Sequence, residues 1–490
     1  MGLKSNSSND SGVKAMLKSN VQAAFKRFPN LHDARDGVIR DGTEEAAAEG
    51  REVKPVDATE EAPEKLSKRE RTAVFVDGNV LMMSVPEAVG EIDPFSNIIY
   101  NYVREAMRTG HLVVVAFDEP QFLTQAKKEE QQRRDASRQA RTVTSSEDMV
   151  PIPLSHNFTR AQVEALPDVH VLKADRKCRV RLYDEIIRRV YERCVNVMQQ
   201  WQANGHSPGV LILDGVEIRG ADRPVDEPRV VTMVGSDEDA LAKFQRATPI
   251  GEGDIKLIAL ENRLRELVST DPAYEHYRLA ITSTTDTDSF MTMLIDVAKR
   301  RVNPYAGALH SLFCMRELPT KRDRECNPEA KATFLGCDVA LLEANIQRHL
   351  WSVKGTPTSE EHMLAAMLAF CSAAAICGCD FTLEGQKGAR FDHFWESLPN
   401  FVATEPQALM RFNSALASQE AVVQDACQGL YRVCMQASNH MATKPRYKRQ
   451  AESVNTVPDS MLRRSIWAAA YWGQSEWPAT PEWGFLPQWQ

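Results

Sequence analysis

Two pairs of carboxylates at i, i+2 spacing stand out in this chain. Glu252 and Asp254 lie in Gly251-Glu252-Gly253-Asp254-Ile255-Lys256, and Asp286 and Asp288 in Thr284-Thr285-Asp286-Thr287-Asp288. Four such groups held close together repel one another unless positive charge sits among them. A hard divalent cation supplies that charge, and Mg²⁺ takes oxygen ligands. The first pair opens a helical pattern, Leu257, Ile258, Leu260, Leu264 and Leu267, and the second follows a strand-like run, Leu279 to Ser283. This pattern points to half of a metal site, with the other half supplied elsewhere in the chain.

The elements that would position these pairs can be read in order. Ala73-Val74-Phe75-Val76 ends in Asp77, Leu112 to Phe117 ends in Asp118, and Val210 to Leu213 ends in Asp214. Helical stretches fall between them, including Phe95 to Met107. Short β-branched runs alternating with helices predict an α/β fold with a parallel central sheet flanked by helices. Ligands of such sheets bind outside the carboxyl ends of the strands, where several of these acids would collect. A lone Asp after a strand is also a common turn or helix-cap residue, and Asp214 is read that way. A long apolar run, Leu364 to Cys379, predicts a buried helix too short and interrupted for a bilayer span. It runs into Gly378-Cys379-Asp380-Phe381. Asp380, at a helix C-terminus where the dipole disfavours an acid, suggests a nearby cation or a plain turn.

Basic residues form two stretches. The first holds Lys127, Lys128, Arg133, Arg134, Arg138 and Arg141 just after the Asp118 strand, with Glu129, Glu130 and Asp135 interleaved. Phosphate contact and a solvated charged helix are both open readings there. The second, from Lys173 to Arg193, reads as a solvated helix. Gly385 to Arg390 could hold a phosphate at the start of an amphipathic helix with Phe391, Phe394, Trp395 and Leu398.

The 490 residues are 43% hydrophobic and 26% charged, as expected of a soluble globular protein. The net charge of −8 argues against a uniformly basic nucleic-acid binder but allows local basic patches. Ten Cys residues without a CxxC pair make a zinc site or a disulfide framework a poor expectation. No secretory signal opens the chain, so the expectation is a cytoplasmic or nuclear protein without a membrane partner. The chain divides by pattern into 1–70 (an apolar-spaced helix from Val13 to Phe25, then a flexible linker), 71–300 (the core), 301–400 (a second part of the core) and 401–490 (a helical region). Residues 217–249 read as a loop or insertion, and 300–360 give a weak signal. Five of the eight Trp residues crowd the end, Trp467, Trp472, Trp477, Trp483 and Trp489. They suit packing across their own domain better than base stacking.

Taken in order, strand–Asp, strand–Asp, Gly-Glu-Gly-acid-x-Lys, Asp-x-Asp and Gly-x-Asp-Phe resemble the metal-dependent 5′→3′ nucleases of the flap-endonuclease and PIN-like superfamily. Gly251 to Lys256, Asp77-Gly78-Asn79, Ala126 to Arg133 and Phe25-Lys26-Arg27-Phe28-Pro29 are closer to its 5′→3′ exoribonucleases. The resemblance covers roughly residues 13–35, 71–135, 208–300 and 365–400. Met83 stands where these enzymes usually carry a stacking His. The resemblance implies a PIN-like nuclease core with a helical C-terminal region. It implies that Asp77, Asp118, Glu252, Asp254, Asp286, Asp288 and Asp380 form a catalytic cluster for two Mg²⁺ ions, with Mn²⁺ as a substitute. It implies that Lys128, Gln132 and Arg133, with Lys127 and Arg134 beside them, hold a 5′-phosphate. Lys256 belongs to the same motif and would offset the carboxylates or touch substrate phosphate. The implied partner is single-stranded RNA or another nucleic acid with a 5′ end. A flap-type DNA nuclease and a non-catalytic nucleic-acid-binding relative are the alternatives, and no protein partner can be named.

Overall fold

The computed structural model describes residues 17, 20–38, 67–86, 89–118, 169, 176–214, 232–235, 243–244, 252–284, 288–302, 309–317, 333–379, 391–415, 425–432 and 468. Eight strands form one sheet: β1 (Phe25–Phe28), β2 (Thr72–Asp77), β3 (Leu112–Ala116), β4 (Val210–Asp214), β5 (Thr232–Gly235), β6 (Leu279–Thr284), β7 (His310–Glu317) and β8 (Thr333–Asp338). Their spatial order is β1-β8-β7-β6-β2-β3-β4-β5. The five central strands, β7, β6, β2, β3 and β4, run parallel, as the β-branched runs predict. The sheet as a whole is mixed, because β8 is antiparallel to β7, β1 to β8 and β5 to β4.

The helices include α1 (Leu31–Asp36), α2 (Gly78–Met83), α3 (Ile92–Thr109), α4 (Arg176–Ala203), α5 (Gly253–Thr270), α6 (Asp288–Val302), α7 (Val339–Leu350), α8 (Glu360–Cys377), α9 (Phe391–Thr404) and α10 (Pro406–Arg411), and residues 425–432 are helical as well. They cover both faces, and the period-two alternation of the strands decides which residue meets which layer. Val74, Val76, Val113, Val115, Leu211 and Leu213 pack with Phe95, Ile99 and Val103 of α3 and Ile186 and Val190 of α4. Their neighbours Ala73, Phe75, Leu112, Val114, Val210 and Ile212 face Leu257, Leu260 and Leu264 of α5. At the β7–β8 end of the sheet, Phe313, Met315, Leu335 and Cys337 join a core built on α6, α7, α8 and α9.

α8 passes a length and composition test for a bilayer span, but 72% of it is buried inside the protein. Every residue from Leu364 to Ile376 is buried, and the helix packs on α6, α7, α9 and α10. A helix apolar on all sides is a core helix when protein surrounds it. Each large side chain buried there contributes roughly 1.5–3 kcal/mol.

Three local expectations are corrected. The helical spacing from Val13 reaches Phe25, but Phe25–Phe28 is an edge strand on β8. Residues 217–249, read as a loop, contain β5. The weak 300–360 signal conceals β7, β8 and α7, which extend the same sheet.

Candidate active site

The strand order reverses between β2 and β6: β3 and β4 extend from one side of β2, β6 and β7 from the other. In open parallel sheets this switch point is where a crevice opens at the carboxyl ends. Asp77 closes β2 at that point. Its Oδ1 accepts from the amides of Asn79 (3.0 Å) and Val80 (3.2 Å), capping α2. Its Oδ2 accepts from Thr284 Oγ1 at 3.0 Å, so the ends of β2 and β6 are tied across the switch. α2 starts immediately because residue 78 is glycine; a Cβ there would lie 2.3 Å from the Phe117 ring.

Strand parity carries the other acids to the same side. Ala73, Phe75 and Asp77 alternate onto the α5 face of β2, and Ala116 and Asp118 follow suit beyond β3. Asp118 Oδ1 accepts from the Gly253 amide at 2.8 Å. That bond links β3 to the segment bearing Glu252 and Asp254, both buried at the start of α5. A Cβ at residue 253 would stand 3.1 Å from the Ala116 carbonyl and 3.3 Å from Asp118 Oδ1, so glycine permits this approach. Asp254 Oδ1 accepts from the Ile255 amide at 2.8 Å. Asp288 is buried in the first turn of α6. Asp77, Glu252 with Asp254, and Asp288 thus stand at the N-termini of α2, α5 and α6, whose amides and dipoles favour negative charge.

Lys256 is completely buried; its amine donates to the Phe117 carbonyl at 2.7 Å and lies 3.9 Å from Asp214 Oδ1. The acid it stands beside is Asp214, which is not one of the seven expected to form the metal cluster. Contact with substrate phosphate, one of its two expected roles, does not agree with this geometry, because the amine has no solvent-facing surface. Asp214, read from sequence as a turn or cap acid, is the buried partner. The signal for it was present: it ends β4 on the same parity as Asp77 and Asp118, and an internal lysine needs an acid.

Below this edge, Glu261 and Arg265 of α5 form a second buried pair at 3.0 Å. Glu261 accepts from Thr282 Oγ1 at 2.8 Å and from the Ser311 hydroxyl, while Arg265 donates to Ser311 Oγ at 2.7 Å. Burial pushes the Arg265 guanidinium down to about 10. The network fixes α5 against β6 and β7 and so sets the height of its N-terminus at the edge.

All the candidate donors are carboxylate oxygens, the ligand type Mg²⁺ prefers. Asp77 accepts from protein donors on both oxygens and Asp118 on one, the kind of outer bonding that orients metal ligands. Among the described residues, no three of His, Cys, Asp or Glu stand close enough together to hold a metal ion. Asp286 and Asp380 lie outside the described residues, as do Lys127, Lys128, Gln132, Arg133 and Arg134, the Gly385–Arg390 turn and the five terminal Trp residues. The second basic stretch, expected as a solvated helix, is not one from Arg188 to Arg193: Arg188 and Arg189 are mostly buried and bond Glu185, Glu192 and Asp93, and Arg193 bonds Asn97, so they join α4 to α3. Met83 is 56% exposed at the end of α2.

No model of a known protein family matches the chain, and no curated protein matches it.

Proposed function

We propose that the chain is a Mg²⁺-dependent nuclease, a 5′→3′ exoribonuclease with a PIN-like core. The observation that supports the reading is that Asp77, Asp118, Glu252, Asp254 and Asp288 each stand at or just beyond an element end along the carboxyl edge of the sheet, with Asp77 bonded to Thr284 and Asp118 to the Gly253 amide. Asp286, two residues before Asp288, and Asp380, just beyond buried Cys379, are the acids that would complete a set able to hold two ions. Bound there, two Mg²⁺ ions would supply an activated water and stabilisation of the leaving oxygen. The chain's own part is positional. Thr284 and the α2 amides hold the Asp77 carboxylate in one orientation, and the Gly253 amide does the same for Asp118. Lys127, Lys128, Gln132, Arg133 and Arg134 would anchor the 5′-phosphate and fix which phosphodiester reaches the acids.

The test is cleavage of 5′-monophosphate RNA, 5′-hydroxyl RNA and a DNA flap in Mg²⁺. Degradation of the 5′-monophosphate RNA alone is expected. Flap cleavage with both RNAs inert would replace the reading with a flap-type DNA nuclease. The double variant Asp286→Asn, Asp288→Asn is expected to lose cleavage and keep RNA binding; undiminished Mg²⁺-dependent cleavage would sink the site assignment. A second reading, a non-catalytic nucleic-acid-binding relative, is favoured by one observation, that the described acids do not by themselves make a metal-holding group of three. Binding of RNA without cleavage of any of the three substrates would establish it.

A further inference from the structure

α3 and α4 pack side by side on one face of the sheet. Between them lies a cleft of about 570 Å³, lined by Ile92 and Asp93 of α3 and by Arg188, Arg189, Glu192 and Arg193 of α4. A cleft of this size accommodates a small ligand. Its lining is charged apart from Ile92 and Asn196, so the ligand it suits is an ion. The cleft is open to solvent, because the Asp93 and Glu192 side chains on its rim are 65% and 57% exposed.

The bonding of the three arginines says which ion. Glu185 is the one acid here that is buried, and it takes Arg188 Nη2 at 2.6 Å and Arg189 Nε at 2.9 Å. The exposed acids hold second positions, Asp93 on Arg189 and Glu192 on Arg188. Arg193 bonds the side chain of Asn97, an uncharged acceptor. Exposed ion pairs contribute little to stability, so Asp93 and Glu192 can turn into water at small cost while Glu185 stays. Three guanidinium groups then face one carboxylate, a surplus of two positive charges. That surplus matches a phosphate dianion, whose oxygens also fit the guanidinium fork. The N-terminus of α3 opens on the same cleft, and its N-cap residue Glu91 supplies no side-chain bond, so the positive end of the helix adds to the attraction.

We infer that the α3–α4 cleft binds a phosphate dianion, free or at the end of a small phosphomonoester, and that Asp93 and Glu192 are the acids it displaces. The cleft lies in the layer opposite α5, away from Glu252 and Asp254, so its assignment does not rest on the nuclease reading. The test is titration calorimetry of the full chain with inorganic phosphate and with adenosine 5′-monophosphate. Divalent cations are left out, ionic strength is held constant with sodium chloride, and the pH is one at which phosphate is a dianion. Arg193→Gln is expected to weaken both probes about tenfold, the loss of one bond between charged groups. Its partner Asn97 is neutral, so the variant strands no charge. Asp93→Asn is expected to tighten binding severalfold, because it removes the acid that competes for Arg189. Equal affinity for the two probes assigns the free ion, and tighter binding of the monophosphate assigns a phosphomonoester. Absence of binding to the wild-type chain would overturn the inference, as would affinity equal in wild type and Arg193→Gln. If Arg193→Gln does not fold, Asp93→Asn decides: tighter binding upholds the site, and unchanged or weaker binding makes the arginines a structural clasp between α3 and α4.

Discussion

Lys256 puts its amine where water does not reach, between the Phe117 carbonyl and Asp214. Breaking a buried pair by removing one partner leaves the other desolvated without its counter-charge, typically at a cost of about 3–5 kcal/mol. Lys256→Met is therefore expected to lower the unfolding free energy by that amount in urea denaturation. Adding Asp214→Asn should recover part of it, because the stranded charge is then gone. A loss below about 1 kcal/mol, the range of exposed pairs, would mean that the pair does not hold α5 to β3 and β4. Repulsion among the acids is relieved in part by the N-termini of α2, α5 and α6, so a cation is not the sole source of compensation.

At the scale of elements, α6 and α7 are joined by Arg301 and Glu343, 2.7 Å apart, with the Glu343 side chain completely buried. Burial raises the Glu343 carboxyl above its ordinary 4.5, against the opposing pull of Arg301. The folded state thus holds this proton over a pH range where the unfolded chain has released it. Its contribution is fully present below 4.5 and is lost as pH rises through the folded value. Denaturation of wild type and Glu343→Gln across that window should show the wild type losing stability relative to the variant as pH rises. A difference that does not vary with pH would exclude the linkage.

Elements carried by strong local pattern are legible in the amino-acid sequence itself. The runs of β2, β3, β4 and β6 are β-branched and continuous, as strands buried on both faces must be, and α5 and α8 are long. The elements that escape such a reading are short or lie toward the edges of the sheet. β1 is Phe-Lys-Arg-Phe, four residues whose first aromatic also completes a helical spacing from Val13. β8 has a glycine at its centre, where a side chain would strike the Phe28 ring at 2.5 Å. Such strands are specified by their neighbours more than by their own pattern. The acids at strand ends are legible because parity and register fix their side of the sheet. The Asp214–Lys256 and Asp77–Thr284 contacts are not, because each joins strands and helices far apart in sequence.

For the molecule as a whole, net charge of −8 sets the terms on which a polyanion can bind. Approach of a nucleic acid needs local basic residues, modest salt and divalent cations to screen the acidic edge. A ligand that binds only the folded state raises its melting temperature by mass action. Mg²⁺ titrated into the full chain is expected to raise the melting temperature, and the Asp286→Asn, Asp288→Asn variant is expected to lose most of that rise. An equal rise in both would place ion binding elsewhere.

The pairing of β1 with β8 has a consequence for how the protein is made. Phe25 meets Cys337, and Phe28 meets Phe334, partners separated by roughly three hundred residues of chain. At a synthesis rate of about 5–20 residues per second, β1 waits on the order of tens of seconds on the ribosome before its partner has been translated. The parallel core from β2 to β7 is translated before β8, so β1 is the first strand in sequence and among the last to find its place. A nascent chain stalled before Thr333 would leave Phe25 and Phe28 without that partner, a stage at which a chaperone or another copy of the chain has its opportunity.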